Sequence, residues 1–360
     1  MTVPLLQTEG LAKHFVVRHS ALGRPTAIVR AVDGVNLSLE AGKTLGLVGE
    51  SGCGKSTLGR LVLRLIEPTA GRVRFEGRDV TGLGERQLRA LRRHAQLVFQ
   101  DPYSSLNPRM TVGQMLSEPL ALHRIVPPGR RRERVAELLG LVGLDPGFAR
   151  RYPHEFSGGQ RQRLAIARAL AVEPKLIVCD EPVSALDVSI RSQILNLLRD
   201  LQRRLSLAYI FISHDLAVIK HIADHVAVMN SGKIVEAAPA EALFAAPRHP
   251  YTRALLSAIP ALTPRAKQER ILLKADVPGA LERPDGCRFH PRCPHAVERC
   301  RIERPALIAD AAGHATACHR IAELPGPTAA EAGEFSPALE RLIAAFTRRS
   351  GTRAPAHRAP

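Results

Sequence analysis

An eight-residue segment near the start of the chain, Gly49–Ser56, matches the pattern G-x-x-x-x-G-K-[S/T] without deviation. The apolar run Thr44–Val48 before it predicts a strand. After it, apolar residues at helical spacing between Leu58 and Ile66 predict a helix, which we expect to extend toward Pro68. A chain with this pattern needs a fold that joins a buried strand to a helix through a tight glycine-rich loop.

The chemistry of this loop predicts a site for the phosphates of a nucleotide and for Mg²⁺. Glycines let backbone N–H groups turn toward phosphate oxygens, and a helix that begins at Lys55 directs its positive end to the same anion. We expect Lys55 to reach the β- and γ-phosphates, and the Ser56 hydroxyl to bind Mg²⁺. The residues expected to contact nucleotide here are Gly49, Glu50, Ser51, Gly52, Cys53, Gly54, Lys55, Ser56 and Thr57. Cys53 is interpreted as a small residue that faces the protein, or as a thiol whose pKa is lowered by the helix N-terminus.

A pair of carboxylates further along the chain completes this predicted site. The apolar run Leu176–Cys179 predicts a strand buried on both faces, and it leads directly into Asp180 and Glu181. A carboxylate at the end of a buried strand beside a phosphate loop is suited to Mg²⁺, so we assign this role to Asp180. Glu181 follows by one residue and is placed to act as the general base that polarises an attacking water.

Strands and helices alternate through the first 245 residues, which predicts an α/β fold with a mainly parallel sheet. The predicted strands are 35–39, 44–48, Gln96–Gln100, 176–179, 208–212 and 225–229. The predicted helices include 131–142, a helix from Ser157 to the Pro174 boundary, and a long helix over 190–205. Frequent prolines from about residue 246 indicate a second, small domain over 246–325. The basic segment 326–360 is expected to be partly disordered, apart from a short helix around Pro337–Phe346.

The chain of 360 residues carries a formal net charge of +17. Such a charge suits nucleic acid or an anionic membrane surface, although arginines spread over a solvated surface give the same composition. Hydrophobic residues make up 45% of the chain, which excludes a wholly disordered or fibrous protein. No run of about 18 apolar residues predicts a membrane span. Residues 1–10 lack the pattern of a secretory signal.

Four cysteines cluster in the second predicted domain, at Cys287, Cys293, Cys300 and Cys318. In a chain that is not exported, clustered cysteines indicate a metal before disulfides. Their spacing matches neither common zinc fingers nor ferredoxins, so Zn²⁺, an iron–sulfur cluster and plain reduced thiols all remain open. Because a small proline-rich domain has little core, a bound metal would serve structure rather than redox chemistry.

Five further segments stand in an order that identifies a family. They are Leu11–Phe15, Phe99–Pro102, Ser157–Gln160, Ser184–Asp187 and Ile212–Asp215. Together with the phosphate loop and Asp180–Glu181, these segments resemble the ATP-binding subunits of ABC transporters over about residues 5–245. They are similar, in that order, to the adenine-stacking aromatic, the Q-loop, the signature motif, the D-loop and the switch histidine. Phe156 stands where many members carry Leu, and both residues are apolar.

The resemblance implies a RecA-like P-loop NTPase core with an inserted helical subdomain. These parts would form an ABC-type nucleotide-binding domain over 1–245, with the helical subdomain at about 101–165. ATP would bind between two such subunits, with its adenine on Phe15 and with Gln100 among the Mg²⁺ ligands. The implied catalytic residues are Glu181, His214, Gln100 and Lys55.

The family's signature motif and D-loop imply further contacts with nucleotide. Ser157 and Gly159 would cap the γ-phosphate of the site whose phosphate loop belongs to the partner subunit. Gly158, Gln160 and Asp187 belong to the same implied nucleotide-binding set. His214 would position the γ-phosphate and the attacking water.

Two segments narrow the resemblance to one branch of the family. His249–Leu256 resembles the start of the C-terminal extension of the oligopeptide/dipeptide uptake branch, and Ala31–Ser56 resembles its F-type subunit. The branch implies ATP hydrolysis that energises import of di- or oligopeptides across the cytoplasmic membrane, with nickel, glutathione or another small solute as the alternative. Members with this extension carry a [4Fe–4S] cluster, which favours iron–sulfur over zinc at the four cysteines.

The branch also implies partners and a location. The partners would be a second homologous ATP-binding subunit, two integral-membrane permease subunits and an extracytoplasmic solute-binding protein. The chain would be peripheral, on the cytoplasmic face of the inner membrane.

Two other classes of ABC ATPase are less consistent with this sequence. An ATPase that acts on nucleic acid would suit the net charge, but only about 100 residues separate Thr57 from Ser157, which leaves no room for a long coiled coil. The chain also has one phosphate loop rather than two, so we expect no nucleic-acid partner. An exporter is disfavoured by the peptide-branch extension and by the lack of a fused membrane domain.

Overall fold

The computed structural model describes residues 3–19, 25–101, 105–258 and 284–326. The expected basic tail, 326–360, lies outside the described residues except for its first residue. The short helix expected around Pro337–Phe346 lies outside them as well. Within the described ranges, no helix is both long and apolar enough to cross a bilayer.

The described strands form two sheets. Their bounds are β1 (Leu6–His19), β2 (Pro25–Leu39), β3 (Thr44–Val48), β4 (Ala70–Phe75), β5 (Arg78–Asp79), β6 (Ala95–Val98), β7 (Leu176–Asp180), β8 (Ala208–Ile212), β9 (His225–Asn230), β10 (Lys233–Pro239), β11 (Ile308–Ala309) and β12 (Ala315–Thr316). The larger sheet has the order β11-β12-β10-β9-β3-β8-β7-β6, and the smaller one β2-β1-β4-β5.

The larger sheet has a parallel centre, as the apolar runs of the sequence predict. Strands β9, β3, β8, β7 and β6 pair in parallel, while β10, β12 and β11 add antiparallel strands at one edge. All residues of β3, β7 and β8 are buried, because helices cover both faces of a parallel sheet. The α/β fold predicted from the sequence is therefore confirmed.

The smaller sheet is wholly antiparallel and was not predicted. Its strands β1 and β2 are long, and the sequence analysis predicted only the last five residues of β2. Shifts in the pairing of β1 with β2 interrupt the alternation of apolar and polar residues that would have identified both strands. Leu6 lies opposite both Leu39 and Phe75, and this apolar face belongs to the same core cluster as Leu58 and Leu61 of the helix after the phosphate loop.

Helices cover the larger sheet and extend beyond it between β6 and β7. Their bounds are α1 (Lys55–Val62), α2 (Glu85–His94), α3 (Val112–Leu122), α4 (Arg131–Leu141), α5 (Gly158–Leu170), α6 (Val188–Leu205), α7 (Leu216–Ile222), α8 (Ala240–Ala245), α9 (Pro250–Ser257) and α10 (Glu298–Ile302). Helices α3, α4 and α5 pack on one another through buried leucines, including Leu116, Leu138 and Leu164. The predicted helices over 131–142 and 190–205 are confirmed.

One predicted strand and two predicted helices end earlier in the structure than the sequence suggested. The strand expected over Gln96–Gln100 ends at Val98, so Gln100 lies beyond the sheet. The helix that begins after Ser157 ends at Leu170 rather than near Pro174, because the chain adopts a left-handed conformation at Glu173. Helix α1 likewise stops well before Pro68, and Arg64 has a positive φ of 52°.

A buried ionic network attaches the C-terminal extension to the edge of the larger sheet. Glu236 on β10 is fully buried and accepts hydrogen bonds from the backbone N–H groups of Arg248 (2.8 Å) and His249 (2.9 Å). The Nε2 atom of His314, next to β12, lies 2.6 Å from the same carboxylate. Burial alone would raise the pKa of Glu236, but these hydrogen bonds hold it below its usual value. The carboxylate therefore stays ionised and joins three segments.

We expect Glu236→Ala to lower the free energy of unfolding by about 3 kcal/mol, because it leaves a buried imidazole and two N–H groups without their acceptor. Urea unfolding of the full-length chain measures this change. Glu303→Ala, which removes an exposed carboxylate of the same extension, is the matched control and should barely move the midpoint. Equal effects of the two substitutions would contradict the structural role of Glu236.

Candidate active site

Glycines at two positions of the phosphate loop allow the loop to pack closely against β9 and β2. Gly49 has a φ of 151°, and a Cβ atom there would lie 2.2 Å from the carbonyl oxygen of Met229. Gly54 has a φ of 112°, and a Cβ atom there would lie 2.2 Å from the carbonyl oxygen of Ala31. Neither backbone oxygen can move without disturbing its strand, so only glycine fits at these two positions.

The charged and hydroxyl groups of the loop converge at its inner face. The Lys55 amine is buried and donates to the carbonyl oxygens of Gly49 (2.7 Å) and Glu50 (2.9 Å). The Ser56 hydroxyl donates to Oδ1 of Asp180, at 2.9 Å, and so connects the start of α1 to the end of β7. Two of the three predicted Mg²⁺ ligands, Ser56 and Asp180, are thus in direct contact.

The environment of Asp180 suits a cation. Burial raises the pKa of its carboxyl, and the hydrogen bond from Ser56 offsets part of that shift. The like charge of neighbouring Glu181 raises it further. A divalent cation at this carboxylate would restore the ionised form and satisfy the buried charge.

Three polar side chains meet beyond the ends of β6, β7 and β8. Nε2 of Gln100 donates to Oε2 of Glu181 at 3.1 Å, and Nδ1 of His214 lies 3.1 Å from Oε1 of the same carboxylate. Glu181 adopts a left-handed conformation with a φ of 48°, and its N–H donates to the Ile212 carbonyl. The parallel strands therefore bring three of the four predicted catalytic side chains together, at the residue that follows Asp180.

The predicted signature segment packs against α6 and the loop that precedes it. Ser157 caps α5 by accepting the N–H of Gln160, and a Cβ atom on Gly159 would lie 2.5 Å from Ile190 of α6. A Cβ atom on Gly158 would lie 3.7 Å from Leu186. Within the described residues, no hydrogen bond joins Ser157–Gln160 to the phosphate loop of this chain.

The other residues predicted to contact nucleotide lie on several different elements. Asp187 is the N-cap residue of α6, and the Phe15 ring on β1 is 39% exposed with the Lys13 amine above it. Thr57 lies half-buried in the first turn of α1. The Cys53 thiol is buried, and this burial raises its pKa; the lowered pKa considered from the sequence is therefore wrong.

The four clustered cysteines come together, as their clustering suggested. Cys287, Cys293, Cys300 and Cys318 are unpaired thiols that line one cavity of about 20 Å³, with His290, His295 and His319 nearby. Burial raises the pKa of the thiols of Cys287 and Cys318, and raises that of Cys293 to about 11. Within the described ranges, no three His, Cys, Asp or Glu side chains form a group that could hold a metal ion as they stand.

Two features of the site were missed by the sequence analysis. Arg191 on α6 pairs with Asp215 at 2.8 Å and donates to the carbonyl oxygen of Leu186, which links the predicted D-loop to the segment after His214. Glu50 of the phosphate loop pairs with Arg292, which lies in the C-terminal extension. No local pattern marks either arginine, because each contact joins segments that are distant in sequence.

The fold and these contacts define a class of protein. A parallel sheet ends in a glycine-rich loop, with a lysine inside it, a serine–aspartate pair beside it and a glutamate one residue on. This is the arrangement of a P-loop nucleoside triphosphatase.

Comparisons with known proteins specify the family. The chain matches the family model "ABC transporter" over residues 32–184 and the model "Oligopeptide/dipeptide transporter, C-terminal region" over residues 235–300. A probable peptide ABC transporter ATP-binding protein of Sinorhizobium fredii is 54% identical over 319 residues, which cover 89% of this chain and 90% of that protein. The oligopeptide transport ATP-binding protein AppF of Bacillus subtilis is 50% identical over 318 residues, covering 88% and 97%.

A solved structure agrees with these sequence comparisons. CbiO1 of Clostridium perfringens, part of the ABC transporter complex CbiONQ, has a TM-score of 0.58 at 28% identity, covering 67% of this chain and 91% of that one. The chain belongs to the ABC transporter family and is an ATPase. The resemblance inferred from the order of its motifs is confirmed.

The close packing of the loop against neighbouring backbone predicts that two of its glycines differ in how much an alanine substitution lowers the free energy of unfolding. Gly54→Ala is expected to lower the free energy of unfolding by about 3 kcal/mol, because its Cβ would overlap the Ala31 carbonyl. Gly52→Ala is the matched control: its φ is also positive, but among the described residues beyond its chain neighbours no atom lies within 4 Å of the added Cβ, so the cost should be about 1 kcal/mol. Urea unfolding distinguishes them, and equal costs would contradict the close fit at Gly54.

Proposed function

We propose that this chain is the ATP-hydrolysing subunit of an importer of di- or oligopeptides. The convergence of Gln100 and His214 on Glu181, beside Asp180, is the observation that carries the hydrolytic part. The peptide cargo is supported by the C-terminal region shared with oligopeptide/dipeptide transporters and by the relatives, which are named as peptide and oligopeptide transport proteins. Nickel, glutathione or another small solute is the alternative cargo.

ATP and its Mg²⁺ would be held by groups on four segments of the chain. The exposed ring of Phe15 is available to stack on adenine, and the phosphate loop would surround the triphosphate with its N–H groups. Lys55 would turn from the loop carbonyls to the β- and γ-phosphates. Ser56 and Asp180 would bind Mg²⁺ directly, with Gln100 completing the protein ligands.

Hydrolysis would require water to be deprotonated as it attacks the γ-phosphate. Glu181 would accept the proton, since its carboxylate lies one residue beyond the Mg²⁺ ligand Asp180. His214 would orient that carboxylate and the γ-phosphate, and Gln100 would connect the metal ion to the base. Mg²⁺ supplies the charge that offsets the developing negative charge on the phosphate oxygens.

Two copies of the site would be completed across a pair of ATP-binding subunits. Ser157–Gln160 and Asp187 would contact the nucleotide on the phosphate loop of the partner, since they make no hydrogen bond to their own loop within the described residues. We propose a second homologous ATP-binding subunit as that partner. Two permease subunits would bind near Gln100–Asn107, of which residues 102–104 lie outside the described residues.

The chain would divide into an ABC nucleotide-binding domain, 1–245, an extension, 246–325, and a basic tail, 326–360. Helices α3 and α4 and the start of α5 would form the helical subdomain, about 101–165. An extracytoplasmic solute-binding protein would deliver cargo to the permease. The chain would lie on the cytoplasmic face of the inner membrane, with no nucleic-acid partner.

We propose that the four clustered cysteines hold a [4Fe–4S] cluster, with zinc as the alternative. The support is that all four thiols line one cavity. Because burial raises the pKa of the thiols of Cys287, Cys293 and Cys318, a metal would be needed to hold these three as thiolates. The group would cross-link a segment with little apolar core of its own.

Glu181→Gln is expected to reduce ATP turnover by at least about 100-fold while ATP still binds, because the amide cannot accept the proton. Phosphate release by the assembled transporter measures turnover. Glu303→Gln removes an exposed carboxylate of the extension and should leave turnover unchanged. Unaltered turnover in Glu181→Gln would contradict its assignment as the base.

Uptake of labelled dipeptide and, in parallel, of labelled nickel tests the cargo in a strain that lacks this chain. The wild-type chain should restore dipeptide uptake, and Glu181→Gln should not. Restoration of nickel uptake alone would replace the peptide proposal by its alternative. If neither uptake depends on the chain, both cargoes are contradicted.

The full-length chain purified without oxygen should contain iron and acid-labile sulfide in equal amounts. Cys293→Ser should lose both, because it removes one of the four ligands. Cys53→Ala changes a cysteine outside the cluster and should keep them. Zinc in place of iron would establish the alternative, and a chain with neither metal would contradict a metal at this site.

A further inference from the structure

The phosphate loop contains a carboxylate of its own, that of Glu50. A negative charge in a loop that receives a triphosphate opposes binding, because like charges repel. The Glu50 side chain is only 26% exposed, so solvent screens this repulsion incompletely. The loop therefore needs a compensating positive charge that does not itself block the site.

Arg292 of the C-terminal extension supplies that charge. Its Nη1 and Nη2 atoms donate to the two carboxylate oxygens of Glu50, at 2.6 and 2.8 Å. Two parallel hydrogen bonds of this kind fix both the distance and the plane of the pair. The Arg292 side chain is 7% exposed, so the guanidinium is held in place by surrounding protein.

A second residue of the extension holds the backbone of Glu50. The Tyr251 hydroxyl oxygen accepts the N–H of Glu50 at 2.9 Å. Tyr251 is fully buried, and its ring packs against that of Phe289 at 5.3 Å between centroids. Burial lowers the pKa of His249 to about 4, so its neutral Nδ1 accepts the N–H of Tyr251 at 3.0 Å. The extension thus holds Glu50 at both its amide and its carboxylate.

The extension is also connected, through residues of two other segments, to Cys53 further along the loop. Arg288 pairs with Asp33 and donates to the carbonyl oxygen of Ser231. The neighbouring Gly232 donates its N–H to the carbonyl oxygen of Cys53, at 2.8 Å, and accepts that of Asp33 at 2.9 Å. Arg288 and Arg292 lie four residues apart, so one segment contacts the loop directly at Glu50 and is connected to Cys53 through Ser231 and Gly232.

We propose that Arg292 is a positioning residue for ATP, which acts through Glu50 and not by touching the nucleotide. It neutralises the carboxylate of the phosphate loop and, with Tyr251, fixes the first peptide groups of that loop. The C-terminal extension is therefore a part of the nucleotide site in this chain. This inference rests on the proposal that the loop binds the phosphates of ATP.

The test is equilibrium binding of a non-hydrolysable ATP analogue with Mg²⁺ to the full-length chain. Arg292→Met is expected to weaken binding about tenfold, which corresponds to about 1.4 kcal/mol. Arg292→Lys keeps the charge but cannot make two parallel hydrogen bonds, so its affinity should lie between those of the wild type and Arg292→Met. Arg299→Met changes an exposed arginine of the same extension and should bind as the wild type does.

Removal of the Glu50 carboxylate distinguishes a positioning role of Arg292 from a general loss of structure in the extension. In the Arg292→Met background, Glu50→Gln should recover most of the lost affinity, because no unpaired carboxylate then faces the phosphates. In the Glu50→Gln background, Arg292→Met should cost much less than tenfold. This second comparison still applies if the single Arg292→Met variant does not fold.

Each outcome decides between the two proposals. If Lys55→Ala binds the analogue as tightly as the wild type, the phosphate loop is not the ATP site and the underlying proposal fails. If Lys55→Ala loses binding but Arg292→Met does not, only the positioning role is overturned. It is also overturned if Glu50→Gln fails to rescue Arg292→Met, or if Arg299→Met weakens binding equally.

Discussion

The close fit of the phosphate loop between two strand backbones is the constraint on which the rest of the structure depends. At Gly49 and Gly54, a Cβ atom would lie 2.2 Å from a main-chain oxygen. The loop can therefore approach β9 and β2 this closely only with glycine at both positions. Strand β9 belongs to the larger sheet and β2 to the smaller antiparallel one, so both sheets pack against one loop.

The same arrangement explains why distant segments share one site. Parallel strands direct their carboxyl ends to one edge of the sheet, which brings Asp180, Glu181, Gln100 and His214 beside the loop. The C-terminal extension contacts the start of the loop, at Glu50, through Tyr251 and Arg292. Its buried contacts through Glu236 and Tyr251 are those of an integral part of the fold rather than of a loosely attached appendage.

The sequence alone was sufficient for the parts of the molecule that local patterns encode. The continuous apolar runs of β3, β7 and β8 predicted buried parallel strands, and the spacing of glycine, lysine and serine predicted the loop. The antiparallel sheet was missed because shifts in strand pairing break the alternation in β1 and β2. The contact between Glu50 and Arg292 spans 242 residues, and one arginine among the many of this chain carries no signal in a single sequence.

Amide hydrogen exchange over residues 49–57 tests most directly whether this loop is where the chain binds ATP. With Mg²⁺ and ATP present, exchange over this segment is expected to slow, because its N–H groups other than that of Glu50, which already donates to Tyr251, would donate to phosphate oxygens. Exchange over 298–302, a helix of the extension that makes no hydrogen bond to the loop within the described residues and whose residues other than Cys300 are exposed, should not change. Slowed exchange elsewhere, with 49–57 unaffected, would contradict the account.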